Sequence, residues 1–340
     1  MKKHRIQTGL LIALISFSCN RIAAQDPVFS QFYASPLSMN PALAGNGDAS
    51  WRVVGVHRSQ WIASGVDPLT TSSISLDGKL FKQKDNEKNY IGGGLLFLQD
   101  KGLGGAYKSN SLNFILSSHV TLDGEDVHGL SIGLGGTYSN TFIDFSQLTF
   151  AQQLSSSGFN RTLPTNEAYL TDIKPYFAVS AGIDYTYSGD NMGFDIGVAG
   201  YRFLKTQRSA LNDPNQLDPA RYNVHANFQS YLSERMVFNA NAMYVKESNI
   251  YSYTLGFNIG TILQPSEDQP TVLNTGLWYR KDEAVIPYLG LMYGNMSVGI
   301  TYDINTGTAA PSMGSLKTFE FSLAFRSPQK KPNLIPCPWK

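Results

Sequence analysis

The sequence predicts an all-β protein, a transmembrane, antiparallel, up-and-down β-barrel of about 14 strands. Three observations support this prediction. Apolar and polar residues alternate with period two through most of the chain, as they do in strands with one apolar face. Charged residues make up only 16% of the 340 residues, below the roughly 25% of soluble domains. Many alternating segments are roughly 10 residues long, which suits a tilted strand that crosses a bilayer.

Residues 1–24 have the pattern of a secretory signal peptide. Lys2, Lys3 and Arg5 precede a short apolar core at 10–17, which is too short to span a bilayer of about 30 Å. Small residues at 23–24 favour cleavage before Gln25. Acylation at Cys19 is the alternative, but the residues around Cys19 fit a lipoprotein signal poorly. Cleavage would leave Cys337 as the single cysteine, so we expect no intramolecular disulfide.

The barrel prediction places all 14 strands between residues 51 and 326. The clearest alternation runs from Tyr251 to Gly260, where aromatic and aliphatic residues face one way and Ser, Thr, Asn and Gly face the other. The predicted strands lie at 51–58, 70–81, 90–99, 112–120, 127–138, 177–185, 191–204, 220–232, 235–246, 251–260, 271–281, 284–293, 296–304 and 319–325.

The faces of these strands favour a membrane barrel over a soluble β-sandwich. The polar faces are rich in small polar residues, which suit a lumen, and the apolar faces suit lipid. Aromatic residues gather near strand ends, as in the interfacial girdle of a membrane protein. The predicted girdle consists of Trp51, Tyr90, Tyr187, Tyr244, Tyr251, Tyr279, Tyr293, Tyr302 and Phe325.

The lengths of the connections predict an orientation. With both termini in the periplasm, the two longest connections, Ser139–Thr171 and Lys205–Pro219, face outward. Short connections such as Ser233–Glu234 then face inward, as the rule for outer-membrane barrels requires. The Pro-rich tail at 327–340 is expected to be extended and periplasmic.

The segment at 25–50 fits neither a strand nor a helix, and its sequence resembles a known family. The string FSQFYASPLSMNPALAG at 29–45, followed by HRSQW at 57–61, resembles the opening of the PorP/SprF family of the type IX secretion and gliding system. Residues 275–303 resemble the C-terminal third of that family. One departure is His57, where the family more often has an aromatic residue. The residues that match the family motif are Phe29, Ser30, Gln31, Asn40, Pro41, Ala44, Gly45, Arg58, Gln60 and Trp61.

The resemblance implies a non-enzymatic outer-membrane component, surrounded by outer-membrane lipid. Family members help to export secreted cargo with a type B C-terminal domain, such as adhesins, or to anchor it at the cell surface. Their implied periplasmic partners are a peptidoglycan-binding lipoprotein and the secretion ring. We expect no cofactor, and the net charge of +1 gives no reason to expect nucleic acid.

Charged residues of both signs fall on the polar faces of the predicted strands. A lumen of mixed charge is more easily satisfied by ion pairs or an inserted segment than by one class of ion. Residues 25–50 are therefore predicted to plug the lumen or, alternatively, to lie as a periplasmic cap. A porin-like small-molecule channel is the competing function. The predicted lumen-facing polar residues are Asp77, Lys79, His119, Asp184, His225, Arg280, Asp303, Glu320 and Arg326.

No motif in the sequence predicts catalysis or a metal site. Residues 129–133 match the G-x-S-x-G pattern, but that motif requires a strand, a sharp turn and a helix. Here it lies within an alternating strand. The four histidines after residue 25 have neither helical spacing nor a cysteine partner. We therefore expect no catalytic residue and no metal ligand.

Overall fold

The computed structural model describes most of the region after the predicted signal peptide. The described residues are 28–63, 67–82, 89–125, 127–166, 173–203, 219–265, 270–307 and 316–328. The predicted signal peptide and residues 329–340 of the predicted tail lie outside this part of the chain.

The protein forms a closed antiparallel barrel of 14 strands, which confirms the predicted fold class. Each barrel strand pairs with the barrel strands before and after it in the chain, and the last strand pairs with the first to close the barrel. The barrel strands are β1 (Trp51–Ile62), β2 (Leu69–Lys82), β3 (Tyr90–Gly102), β4 (Tyr107–Thr121), β5 (His128–Ile143), β8 (Tyr176–Ser188), β9 (Met192–Tyr201), β10 (Arg221–Ser233), β11 (Met236–Glu247), β12 (Ile250–Gln264), β13 (Thr271–Arg280), β14 (Ala284–Tyr293), β15 (Met296–Asn305) and β16 (Lys317–Arg326).

In the described ranges, helical structure is confined to single turns. One short α-helix spans Pro36–Met39, and among the described residues no helix is long and apolar enough to cross a bilayer. The 3-10 turns are Phe32–Ala34, Pro41–Leu43, Leu103–Gly105, Phe145–Gln147 and Ala151–Gln153.

The connection after β5 begins and ends later than predicted, at residues 144 and 175. Ser139 lies within β5, which continues to Ile143, because its alternation of inward and outward residues continues to that point. The connection itself contains a small hairpin of β6 (Leu154–Ser155) and β7 (Gly158–Phe159).

The outer surface of the barrel is apolar, as a lipid-facing surface must be. Leu134 and Phe177 are 64% and 72% exposed on the outside of β5 and β8, whereas their neighbours Gly133 and Ala178 are buried. The prediction was wrong for Tyr90. Its ring faces inward and stacks on His119 with centroids 4.3 Å apart, because the outward positions of β3 begin at Ile91.

The two ends of the barrel differ. Connections 144–175 and 202–220 leave the same end, which we call the loop end. The opposite end, where β1 begins and β16 finishes, carries short connections such as 189–191, 234–235 and 294–295. We call it the short-turn end.

Residues 28–50, which we call the N-terminal segment, lie inside the barrel. Phe29, Phe32 and Leu43 are at most 4% exposed and pack in one cluster with inward wall residues such as Trp278. Local sequence explains the turns of the segment: Pro36 begins the short helix, and the Asn40 side chain accepts a hydrogen bond from the Ala42 N–H. Burial of each large apolar side chain stabilises this arrangement by about 1.5–3 kcal/mol.

Candidate functional site

The inside of the barrel is the candidate functional site, since the N-terminal segment contacts the wall at three levels there. Near the loop end, the carboxylate of Glu320 accepts hydrogen bonds from two consecutive backbone N–H groups, those of Ser30 and Gln31, each at 2.7 Å. The Gln31 side chain also accepts a hydrogen bond from the Ser322 hydroxyl at 2.7 Å. One wall carboxylate thus fixes the backbone of the segment.

Buried ion pairs surround this contact. Asp303 lies 3.1 Å from a guanidinium nitrogen of Arg58 and 3.0 Å from one of Arg280. It also accepts a hydrogen bond from the Ser30 hydroxyl at 2.8 Å. Arg58 donates to the backbone carbonyl of Val28. Because burial of an unpaired charge is costly, these reciprocal partners allow two acids and two arginines to lie inside the wall.

Aromatic packing continues from this cluster into the lumen. The ring of Tyr33 stacks on Trp278, with centroids 4.9 Å apart and planes 26° apart. Tyr288 meets both rings edge-on. Such pairs add about 0.5–1.5 kcal/mol beyond their buried area.

The middle contact is made by Asn40. Its side-chain amide donates to the carbonyl of Ile183 at 3.0 Å and also points to that of Val198 at 3.4 Å. Asn223 of β10 donates to the carbonyl of Met39 at 3.0 Å. Wall and segment therefore satisfy each other's backbone and side-chain groups at mid-height.

The third contact lies toward the short-turn end, at Ala44 and Gly45. The Gly45 N–H donates to Asp77 at 2.8 Å, and Arg52 holds the same carboxylate at 2.8 Å. The carbonyl of Ala44 accepts from the Ser117 hydroxyl at 2.7 Å and from Nε2 of His119 at 2.8 Å. Gly45 is required here because its φ is +69° and a Cβ would lie 2.7 Å from the Gly78 carbonyl oxygen.

Glycines in the wall allow the segment to approach closely. A Cβ at Gly133 would collide with the backbone of Pro41, and one at Gly182 would collide with the Asn40 side chain. Gly136, three positions further along β5 and on the outside, has nothing within 4 Å of an added Cβ. The inner glycines therefore shape the seat of the segment.

The structure places most of the predicted residues at these contacts. Eight of the nine predicted lumen-facing polar residues are buried in the wall; Lys79 is half-buried, with its ammonium 4.7 Å from the ring centre of Tyr90. Of the motif residues in β1, Arg58 reaches the segment. Trp61 is 46% exposed at the end of β1.

The two predicted lumen-facing histidines have different partners. His119 donates through Nε2 to Ala44, and its Nδ1 lies 2.7 Å from the Ser131 hydroxyl. His225 lies on β10, with Nε2 3.0 Å from Asp184 of β8. Ser131, from the G-x-S-x-G match, is buried beneath the N-terminal segment within a β-strand. Its hydrogen bond to His119 supports the wall.

Several functional contacts were not predicted from the sequence. Asn223 and Tyr201 hold the backbone of the segment, and the Arg202–Glu247 ion pair, 2.8 Å long, lies near the loop end. Asp195 joins Asp184 and His225 in a buried group. The alternation of polar and apolar residues in β9 and β10 could have predicted that Asp195 and Asn223 face the lumen.

The N-terminal segment runs along the length of the barrel. Val28 lies beside Arg58 toward the loop end, while Ser50 lies at the short-turn end and donates to the Ser327 hydroxyl at 2.7 Å. Residues 25–27 lie outside the described part of the chain, and so does the predicted periplasmic N-terminus at Gln25. The first described residue of the segment, Val28, lies toward the loop end, whereas its last residue, Ser50, lies at the short-turn end beside Ser327.

A cavity of about 50 Å³ remains between the segment and strands β9–β12. Tyr33, Pro36 and Met39 form its apolar side, and amides such as Asn227 and Asn258 form the other. It has room for a few water molecules.

A closed barrel with an apolar outer face and polar groups turned inward defines an outer-membrane β-barrel protein. The chain belongs to the PorP/SprF family, because the family model described as Type IX secretion system membrane protein PorP/SprF matches residues 21–325. This finding confirms the resemblance and identifies the protein as a membrane component of the type IX secretion system.

Solved structures give only distant similarities. A FadL homologue from Pseudomonas aeruginosa is 9% identical, over 84% of this chain and 92% of that chain, with a TM-score of 0.49. The toluene transporter TodX from Pseudomonas putida is 10% identical, over 85% and 91%, with a TM-score of 0.48. The KdgM porin is 7% identical, over 81% and 99%, with a TM-score of 0.39. A comparison with curated proteins gives no match.

Proposed function

We propose that this protein exports secreted cargo with a type B C-terminal domain, such as adhesins, or holds it at the cell surface, without enzymatic activity. The observation that supports this function over a pore is the filled lumen. The N-terminal segment contacts the wall at Ser30–Gln31, Asn40 and Ala44–Gly45. We propose that it acts as a plug, so the protein works through its surfaces.

The proposed cargo surface is the loop end. The connection at 144–166 has its own hydrogen bonds: Asp144 accepts from Ser146 and Gln147, which lowers the pKa of the Asp144 carboxyl. Its hairpin presents Leu154 and Phe159, 60% and 57% exposed. Exposed apolar side chains on an ordered loop suit contact with another protein.

The opposite end is the proposed periplasmic surface. It carries the short turns and the start of the 327–340 tail at Ser327, which suits contact with a peptidoglycan-binding lipoprotein and the secretion ring. This assignment requires that the loop end faces outward.

The experiment that tests the function is a gentle detergent pull-down of a tagged copy from its native outer membrane, followed by mass spectrometry. The test variant replaces 147–164 by a short Gly/Ser linker. The matched control replaces the short turn 123–125 at the opposite end in the same way.

We expect wild type to recover a secreted adhesin-like protein and a periplasmic lipoprotein. The loop variant should lose the secreted protein and retain the lipoprotein, while the control retains the secreted protein. A barrel that brings down no protein partner after mild crosslinking, but conducts ions in planar bilayers, would overturn the proposal in favour of a porin-like channel.

A further inference from the structure

Three metal-ligating side chains meet inside the wall, next to the middle contact of the N-terminal segment. His225, Asp184 and Asp195 come from β10, β8 and β9, and none is more than 2% exposed. Their nearest ligand atoms all lie within 4.8 Å of one another. Nε2 of His225 is 3.0 Å from an oxygen of Asp184 and 3.7 Å from an oxygen of Asp195.

Neighbouring residues hold both carboxylates in place. The Thr186 hydroxyl donates to the second oxygen of Asp184 at 3.1 Å, which leaves the first oxygen toward His225. The Asn227 amide donates to Asp195 at 2.6 Å. Such outer contacts orient carboxylate ligands in metal sites.

The second buried histidine under the segment provides a contrast. The hydrogen-bond partners of His119 are uncharged: the Ala44 carbonyl and the hydroxyls of Ser117 and Ser131. Neutral partners are sufficient for a buried imidazole. At His225 the wall instead supplies two carboxylates, one from Asp184 and one from Asp195.

We propose that His225, Asp184 and Asp195 bind one divalent transition-metal ion of the Zn²⁺ or Mn²⁺ type. Ligand atoms about 2.1 Å from a tetrahedral ion lie about 3.4 Å apart, which falls between the two distances from His225 Nε2. One imidazole with two carboxylates suits Zn²⁺ or Mn²⁺, whereas Ca²⁺ requires more oxygen ligands. With a neutral imidazole, the ion makes the three side chains neutral.

Such an ion would stabilise the seat of Asn40. An added Cβ at Gly197 would lie 2.7 Å from both the Asn40 amide nitrogen and an oxygen of Asp184. The N-terminal segment and the proposed metal ligands therefore lie next to each other at Gly197. The ion would join three consecutive strands there, and its binding would contribute to folding stability.

The test uses the full chain with an affinity tag that contains no histidine, purified from the outer membrane in detergent. Wild type, His225→Gln, Asp184→Asn and the control His119→Gln are unfolded, refolded with Zn²⁺ or Mn²⁺, and desalted against EDTA. Metal content is measured by mass spectrometry, and unfolding temperature by the heat-dependent shift on SDS gels.

Wild type and His119→Gln should retain about one ion per chain and lose thermal stability when they are refolded without metal. His225→Gln and Asp184→Asn should retain none. The proposal would be overturned if wild type retained no stoichiometric metal after refolding with Zn²⁺ and none after refolding with Mn²⁺. Equal metal loss in His119→Gln and His225→Gln would also overturn it, because the ion would then not depend on these ligands.

Discussion

Glu320→Gln should release the N-terminal segment from its loop-end contact. The Glu320 carboxylate accepts from the N–H groups of both Ser30 and Gln31. A Gln side chain has one acceptor oxygen, and its NH₂ group would face the other N–H. The loss of one charge-assisted hydrogen bond costs about 1.5–3 kcal/mol, and the buried N–H left without an acceptor adds about 1–3 kcal/mol.

At a total of about 3 kcal/mol, the population with a displaced segment rises roughly 10²-fold. The assay is single-channel recording in planar bilayers. Wild type should be almost always closed, and Glu320→Gln should show frequent openings. Heat-dependent migration on SDS gels checks that the variant barrel is folded.

Glu283→Gln is the matched control. Glu283 also pairs with Arg280, at 3.3 Å, but its side chain is 54% exposed, and within the described part of the chain it does not bond to the segment. This variant should stay closed. A folded Glu320→Gln barrel as silent as wild type would refute the reasoning, and so would equal opening in both variants.

Three further predictions follow from the wall and the two ends. Gly133→Val should displace the segment and increase conductance, because overpacking costs about 1–3 kcal/mol. Gly136→Val, on the outside, should stay closed. Equal conductance of the two variants would contradict the proposed contact between Gly133 and the segment. Leu134→Arg should destabilise the barrel by about 2–4 kcal/mol if this outward residue lies at the bilayer midplane, measured as a lower midpoint in urea; an unchanged midpoint would place it away from lipid. In a background without other cysteines, Ser157→Cys should react with a membrane-impermeant maleimide on intact cells and Glu234→Cys should not; the reverse would invert the proposed orientation.

The strands could be predicted from the sequence because lipid imposes a simple rule. Outward positions that face lipid are predominantly apolar, so period two persists through strands such as β12 and β16. The rule fails where the ladder is irregular. Between Lys79 and Phe81 the register of β2 shifts, and both Leu80 and Phe81 are exposed. Strand ends were also less certain, since β5 continues past Ser139 to Ile143.

The partners inside the barrel were beyond the reach of sequence patterns. Alternation assigns Glu320 and Asp303 to the inner face but does not say which atoms they meet. Ser30 and Glu320 are 290 positions apart, and their contact depends on closure of the whole barrel. The family resemblance singled out the motif residues at 29–45 without explaining them. The structure gives a physical reason for several: each presents a backbone or side-chain group to the wall.

The loop-end contact spans the seam that closes the barrel. Arg58 lies on β1, Glu320 on β16 and Asp303 on β15, and the first and last strands meet where Arg58 is in register with Glu320. At the short-turn end, Ser327 accepts a hydrogen bond from Ser50, so the seam is also tied there. Because the segment needs acids and arginines from both sides of the seam, it binds fully only when β1 and β16 are paired. Closure and insertion of the segment should therefore stabilise each other, and a variant that weakens one should weaken the other.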